Sequence, residues 1–150
     1  MELLCCRYVD KSKSLIMEIY NGIDLLSIDR IEKIYKKYGK KFLKKIFSIS
    51  EINEFGNLKI SIEKKIEKIA SSFSAKESLS KAIGTGISDN VRFKDIQIFR
   101  DKLGKPEILL KNNTLKFLML KKKSYKNFRI SLSITNEKNC VITSVVILFF

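Results

Sequence analysis

The segment Ile69–Gly86, IASSFSAKESLSKAIGTG, carries the decisive pattern of this chain. It continues an apolar stripe made of Ile62, Ile66, Ile69, Ala70 and Phe73. The spacing predicts a helix from about Ile62 to Ile83, with Gly84 as its C-cap. At roughly 100° per residue, Glu77 falls inside the stripe and Lys81 lies one turn further along, at its margin. A carboxylate on a buried helix face is costly unless a cation or donors satisfy it. Either Glu77 has a partner, or the helical period is misassigned. Gly84-Thr85-Gly86 adds backbone freedom and accessible N–H groups, a weak phosphate signal and more often simply a helix stop.

Upstream, Glu18 to Leu26 (EIYNGIDLL) reads as a strand. Asp24 shares a face with Tyr20, Gly22 and Leu26, and Gly22 permits close backbone approach. An acid inside an apolar strand is the second oddity. It could cap the helix that follows, but Ser27 is better placed for that. Ile28 to Tyr38 is amphipathic, with Ile31, Ile34, Tyr35 and Tyr38 facing inward. After Gly39, a second helical stretch carries Phe42, Leu43 and Ile46. Lys33, Lys36, Lys37, Lys40, Lys41, Lys44 and Lys45 cover the outer side, usually just a solvated face. At this density they suggest a dock for an acidic surface. Ser48 and Glu51 fit a capping box, opening a short helix that ends near Gly56. Residues 1–16 show no clear period and read as an N-terminal appendage to a 17–150 domain; an ordinary extra strand or arm fits equally.

Downstream, Arg92 to Phe99 reads as a strand, Asp101 to Gly104 as a turn, and Pro106 to Leu110 as the partner strand. Thr114 to Leu120 is a short helix and Lys121 to Asn127 a basic loop. Phe128 to Ile134 and Cys140 to Phe149 form a closing hairpin around Asn136–Asn139.

The chain has 150 residues, 45% of them hydrophobic, with ten Phe, enough for one domain with a real core. A net charge of +14 favours acidic partners, although abundant Lys, Ile and Asn also fit a biased genome composition. There is no histidine, and Cys5, Cys6 and Cys140 have no metal-ligand spacing. That excludes a Cys/His zinc site and every His-dependent triad. The low, odd cysteine count makes a reduced, cytoplasmic protein the default. No segment reaches the ~20 apolar residues of a membrane span, and no signal-peptide pattern is present.

Asp24 and Glu77 are thus two acids on elements expected to be buried, with Lys81 and a glycine loop beside one of them. Two carboxylates without His or Cys suit a hard cation such as Mg²⁺, which also binds substrate phosphates. A neighbouring lysine can neutralise charge on a phosphate or leaving group. An i,i+4 Glu77–Lys81 salt bridge is the simpler alternative.

Gly22-Ile-Asp24, Arg30-Ile31, Phe47-Ser48 with Glu51, Phe73-Ser-Ala-Lys76-Glu77, Lys81-Ala-Ile-Gly84-Thr85-Gly86 and Gly104-Lys105-Pro106 follow one another along the chain. In order and spacing they resemble the holo-acyl-carrier-protein synthase family, the small bacterial 4′-phosphopantetheinyl transferases, from about Met17 to the C-terminus. The block from Ala75 to Gly86 is the most specific part. The resemblance implies an α+β single domain, a long central helix packed on an antiparallel sheet, and homotrimers with active sites between subunits. It implies transfer of 4′-phosphopantetheine from coenzyme A to a serine of apo acyl carrier protein, releasing adenosine 3′,5′-bisphosphate, for fatty acid biosynthesis. By the same resemblance Asp24 and Glu77 bind Mg²⁺, and Lys81 aids the leaving group. Gly84, Thr85, Gly86 and Pro106 line the coenzyme A pocket, with Lys81 beside them. Arg30, Lys33 and Lys37 meet the carrier's acidic recognition helix. The carrier serine is the nucleophile; the base implied is a metal-bound water or Asp24.

The departures are Ser72, where the family often has Arg, Tyr20, where it commonly has Gly, and Asn136, which aligns with a family histidine. Asn hydrogen-bonds but does not titrate near neutrality. Ser72 puts a phosphate or intersubunit contact in doubt unless a lysine supplies it. The rival reading is a basic nucleic-acid-binding module without catalysis. Against it, the basic residues concentrate on helices rather than alternating with aromatics on a strand. Neither nucleic acid nor membrane is the expected partner.

Overall fold

The computed structural model describes residues 17–150, so the expected N-terminal appendage lies outside the described residues. Strand β1 (Glu18–Ser27) leads into helices α1 (Ile28–Tyr38), α2 (Lys40–Ile46) and α3 (Ile49–Asn57). The long helix α4 (Ile62–Ile83) follows, then a 3₁₀ turn (Phe93–Asp95) and strands β2 (Ile96–Arg100) and β3 (Pro106–Leu110). Helix α5 (Asn112–Lys121) and strands β4 (Phe128–Glu137) and β5 (Cys140–Phe149) complete the described chain.

The architecture is α+β with two antiparallel sheets rather than one. Among the described residues the larger has the order β1-β5-β4, and β2 pairs only with β3. The C-terminal strand is therefore central, with Val141, Thr143, Val145, Ile147 and Phe149 on its buried face. In the β1–β5 register Gly22 faces Val145 and Asp24 faces Thr143.

Helix α4 runs through the centre of the molecule. Ile66, Ile69 and Ala70 pack with Leu26, Ile31, Leu43 and Phe47 in one core cluster. Ala75, Leu79, Ala82 and Ile83 pack with Val91, Ile96, Val145 and Ile147 in the other. From Ile69 to Ser80 only Phe73 and Glu77 are more than marginally accessible. The expected single apolar stripe is thus too narrow: burial wraps the helix, and its first stripe residue, Ile62, is 53% exposed. Small residues make this possible. Ser71, Ser78 and Ser80 donate their hydroxyls to carbonyls of the helix itself, which removes the cost of burying them. Gly22 of β1 lies directly against this surface: a Cβ there would overlap the Ser78 carbonyl oxygen and the Ala82 amide nitrogen.

Gly84 caps α4 in the left-handed region at φ 85°, as expected. Ser48 and Glu51 form the expected capping box. Four local expectations fail. Ser27 occupies the N-cap of α1 without a side-chain hydrogen bond; the carbonyl of Asn139 instead accepts the Ile28 N–H at 2.7 Å. Tyr38 is 49% exposed, because Gly39 breaks the helix one residue later and turns its last side chains outward. Residues 93–95 form a 3₁₀ turn, so β2 starts at Ile96 rather than Arg92. The closing hairpin is tighter than expected, since strand pairing continues through Glu137 and Cys140, with Lys138 at φ 49°.

Candidate active site

Strand β1 carries Asp24 to the buried edge of α4, where two hydrogen bonds fix it. Its Oδ2 accepts the Ser74 hydroxyl at 2.7 Å, and its Oδ1 accepts the Lys81 ammonium at 2.8 Å. Lys81 also donates to the Ile23 carbonyl at 3.1 Å. The simple i,i+4 bridge is therefore not what forms: Lys81 pairs with Asp24 instead of Glu77. An ammonium has three N–H donors, so one remains after these two contacts, on a side chain that is 50% exposed.

Glu77 is half-buried. Its carboxyl pKa is raised, first by desolvation and then by the negative charge of Asp24, while Lys81 and Arg30 pull it down. Two carboxylates thus act on each other, and among the described residues Glu77 has no ion-pair partner. The structure brings Asp24, Glu77, Lys81 and Arg30 into one group. Arg30, Lys33 and Lys37 are exposed on α1, and the α2 lysines extend that basic side. No group of three or more His, Cys, Asp or Glu able to hold a metal occurs among the described residues.

The glycine loop and Pro106 are not brought together within one chain. Gly84 directly follows α4, with the Lys121 ammonium beside it. Pro106 instead lines a cleft with Ser71, Ser72, Lys68 and Arg100. Ser72 and Gly84 are twelve residues apart, or about 18 Å along the helix. Asn136 reaches the same cleft region, its Oδ1 accepting from the Ser71 hydroxyl at 3.4 Å.

Two features of this neighbourhood escape reading from sequence. Lys76 is fully buried, and its ammonium donates to Glu51 Oε2 at 2.9 Å and to the carbonyls of Phe93 (2.9 Å) and Ile96 (2.6 Å). Burial pulls its pKa down to about 8 against the opposing charge of Glu51. The buried charge of α4 is thus Lys76, one residue before the acid singled out above. The second feature is the Ser74–Thr143 contact behind Asp24, at 2.9 Å. Its only sequence signal is the run of small residues in α4, which marks a helix approached closely on several sides.

A family model described as the 4′-phosphopantetheinyl transferase superfamily matches residues 21–133. The chain belongs to this superfamily. A holo-[acyl-carrier-protein] synthase of Campylobacter hominis is 38% identical over 126 residues, covering 84% of this chain and 94% of that protein. The crystal structure of holo-[acyl-carrier-protein] synthase from Neisseria meningitidis superposes with a TM-score of 0.74 at 34% identity, over 85% of this chain and 96% of that one. The Helicobacter pylori holo-[acyl-carrier-protein] synthase, solved in complex with coenzyme A, superposes with a TM-score of 0.67 at 31% identity, over 85% and 98% of the two chains. Within the superfamily fold, the grouping of Asp24 and Lys81 at the β1–α4 contact is a direct product of Gly22: only a side-chain-free residue lets the strand approach the helix this closely.

Proposed function

We propose that this chain is a holo-[acyl-carrier-protein] synthase, transferring 4′-phosphopantetheine from coenzyme A to a serine of apo acyl carrier protein. The observation that carries the reading is the Asp24–Lys81–Glu77 grouping in a superfamily member related to proteins of that name. Complex formation of the Helicobacter pylori neighbour with coenzyme A supports the choice of donor.

The donor set fits a hard divalent cation. Asp24 and Glu77 are adjacent carboxylates, one of them destabilised as an anion by burial and by the other, and Mg²⁺ takes one or two carboxylates plus substrate phosphates. Bound there, Mg²⁺ would offset charge on the coenzyme A pyrophosphate. Lys81 directs its remaining N–H toward the same pyrophosphate and stabilises the departing oxygen. The carrier serine Oγ forms the new bond to phosphorus as the P–O bond to adenosine 3′,5′-bisphosphate breaks. Asp24 or a water takes the serine proton. Gly84, Thr85 and Gly86 contribute backbone to the coenzyme A pocket, and Pro106 lines it. Arg100, beside Ser72, supplies the cationic contact that Ser72 lacks, since Lys68 there is paired with Glu54 at 2.6 Å. Arg30, Lys33 and Lys37 meet the acidic carrier. The reaction belongs in the cytoplasm, with fatty acid biosynthesis.

We further propose a homotrimer. Ile19 (69% exposed), Ile23 (56%), Leu25 (67%) and Ile142 (41%) form an apolar patch on the β1 side of the outer sheet face. A neighbouring subunit would also bring a Pro106 to the Gly84 loop that the chain's own Pro106 is too far to reach. Sedimentation is expected to give the mass of three chains; a monomer at assay concentration would remove this assignment.

The activity test mixes the protein with coenzyme A, Mg²⁺ and an apo carrier accepted by a relative, then weighs the carrier. One phosphopantetheine of added mass is expected, and no gain sinks the enzyme reading. Glu77→Gln is expected to lower transfer at least about a hundredfold with the circular dichroism spectrum unchanged. Full activity in that variant would show the metal assignment to be wrong.

A further inference from the structure

Ser74, Thr143 and Ser78 are each fully buried between α4 and β5. Buried hydroxyls are costly unless hydrogen-bonded. Ser71, Ser78 and Ser80 solve this with carbonyls of their own helix, but Ser74 does not. Its hydroxyl donates to Asp24 Oδ2 at 2.7 Å and meets Thr143 Oγ1 at 2.9 Å. Thr143 in turn donates to Ser78 Oγ at 3.1 Å, and Ser78 donates to the Ala75 carbonyl at 3.0 Å.

Counting protons orders this chain of contacts. Three hydroxyl protons serve four contacts. The Ser78 proton is committed to the Ala75 carbonyl and the Thr143 proton is directed to Ser78. The Ser74 proton has two acceptors, Thr143 and the carboxylate. A hydrogen bond to an ionised acceptor is about twice as strong as one between neutral groups, so the proton goes to Asp24. The β1–β5 register places Thr143 directly opposite Asp24, so strand pairing sets this geometry.

We propose that Ser74 is a positioning residue for the Asp24 carboxylate. This rests on the reading above that Asp24 holds the metal. The terminal torsion of an aspartate is broad and has no strong preference of its own. Pinning Oδ2 at the buried end stops that rotation and leaves Oδ1 facing Lys81. The Ser74 hydroxyl acts through Asp24 and touches neither substrate nor metal. The simpler role, small polar residues that merely let a helix and a strand approach, predicts a different experiment.

Ser74→Ala is the informative variant. Alanine favours the helix, and Thr143 still donates to Ser78, so the fold is retained and only Asp24 loses a donor. Mn²⁺ serves as the probe, its free concentration read by electron paramagnetic resonance in the presence of coenzyme A. Ser74→Ala is expected to bind Mn²⁺ about tenfold more weakly than wild type, with a matching rise in the metal concentration giving half-maximal transfer and a smaller change in kcat. Thr143→Val, one bond further from Asp24, is expected to lose stability but keep Mn²⁺ affinity within about twofold. A folded Ser74→Ala protein with wild-type Mn²⁺ affinity overturns the positioning role while leaving the proposed function intact. Wild-type protein that takes up no Mn²⁺ with coenzyme A overturns the metal assignment, and this role with it.

Discussion

Gly22→Ala is expected to destabilise the protein by about 3 kcal/mol, or roughly 10 °C in Tm, and to lower transfer beyond what unfolding explains. The added methyl would overlap the Ser78 carbonyl oxygen and the Ala82 amide nitrogen, and it would lie 3.0 Å from the Ala82 Cα. All three atoms are backbone of α4, so no rotamer change relieves the clash. Strand β1 must move away from the helix instead. Asp24 is two residues on, and its bonds to Ser74 (2.7 Å) and Lys81 (2.8 Å) span that same interface. Thermal melts and transfer rates measured well below Tm separate the two effects. A variant with wild-type Tm and rate would mean that β1 and α4 are not in this close contact.

Lys76→Met is expected to cost about 3–5 kcal/mol, because it removes one partner of a buried ion pair and strands the other. Glu51 is 3% exposed. Its Oε2 accepts from Lys76 at 2.9 Å and from the Ser48 N–H at 2.9 Å, and its Oε1 accepts from the Ile98 N–H at 3.2 Å. The pair therefore joins the α3 cap and strand β2 to α4 one residue before Glu77. The double variant Lys76→Met with Glu51→Gln is expected to be more stable than Lys76→Met alone, since it removes the uncompensated charge while keeping an acceptor for the cap. Urea melts of the two proteins check this. A single variant within about 1 kcal/mol of wild type would show that the buried charges are not coupled as described.

Much of this molecule is legible in its sequence because the signals are local. The limits of α4 follow from a stripe and a glycine, and Gly84 adopts the left-handed conformation expected of a C-cap. The capping box at Ser48 and the strand face shared by Gly22 and Asp24 follow in the same way. Motif order identified the family, which the match over residues 21–133 bears out. Ser27 and the start of β2 were misread because neighbours in space, not in sequence, decide them. The Asn139 carbonyl already satisfies the first amide of α1, so the Ser27 side chain is not needed there.

Sequence alone determined the helix and strand periods, their stops and the residue types of the proposed site, since those depend on spacing within a few residues. Tertiary structure decided which charges meet. Lys81 could have bridged to Glu77 one turn away, yet it pairs with Asp24, because the β1–α4 contact places a second carboxylate within 2.8 Å. Lys76 could have been a solvated lysine, yet it is buried against Glu51, because α3 and β2 close over that side of the helix. The acid that looked misplaced in Ile69–Gly86 gains Asp24 as its neighbour only when β1 and α4 pack together. That pairing is a property of two distant segments and has no periodicity to betray it.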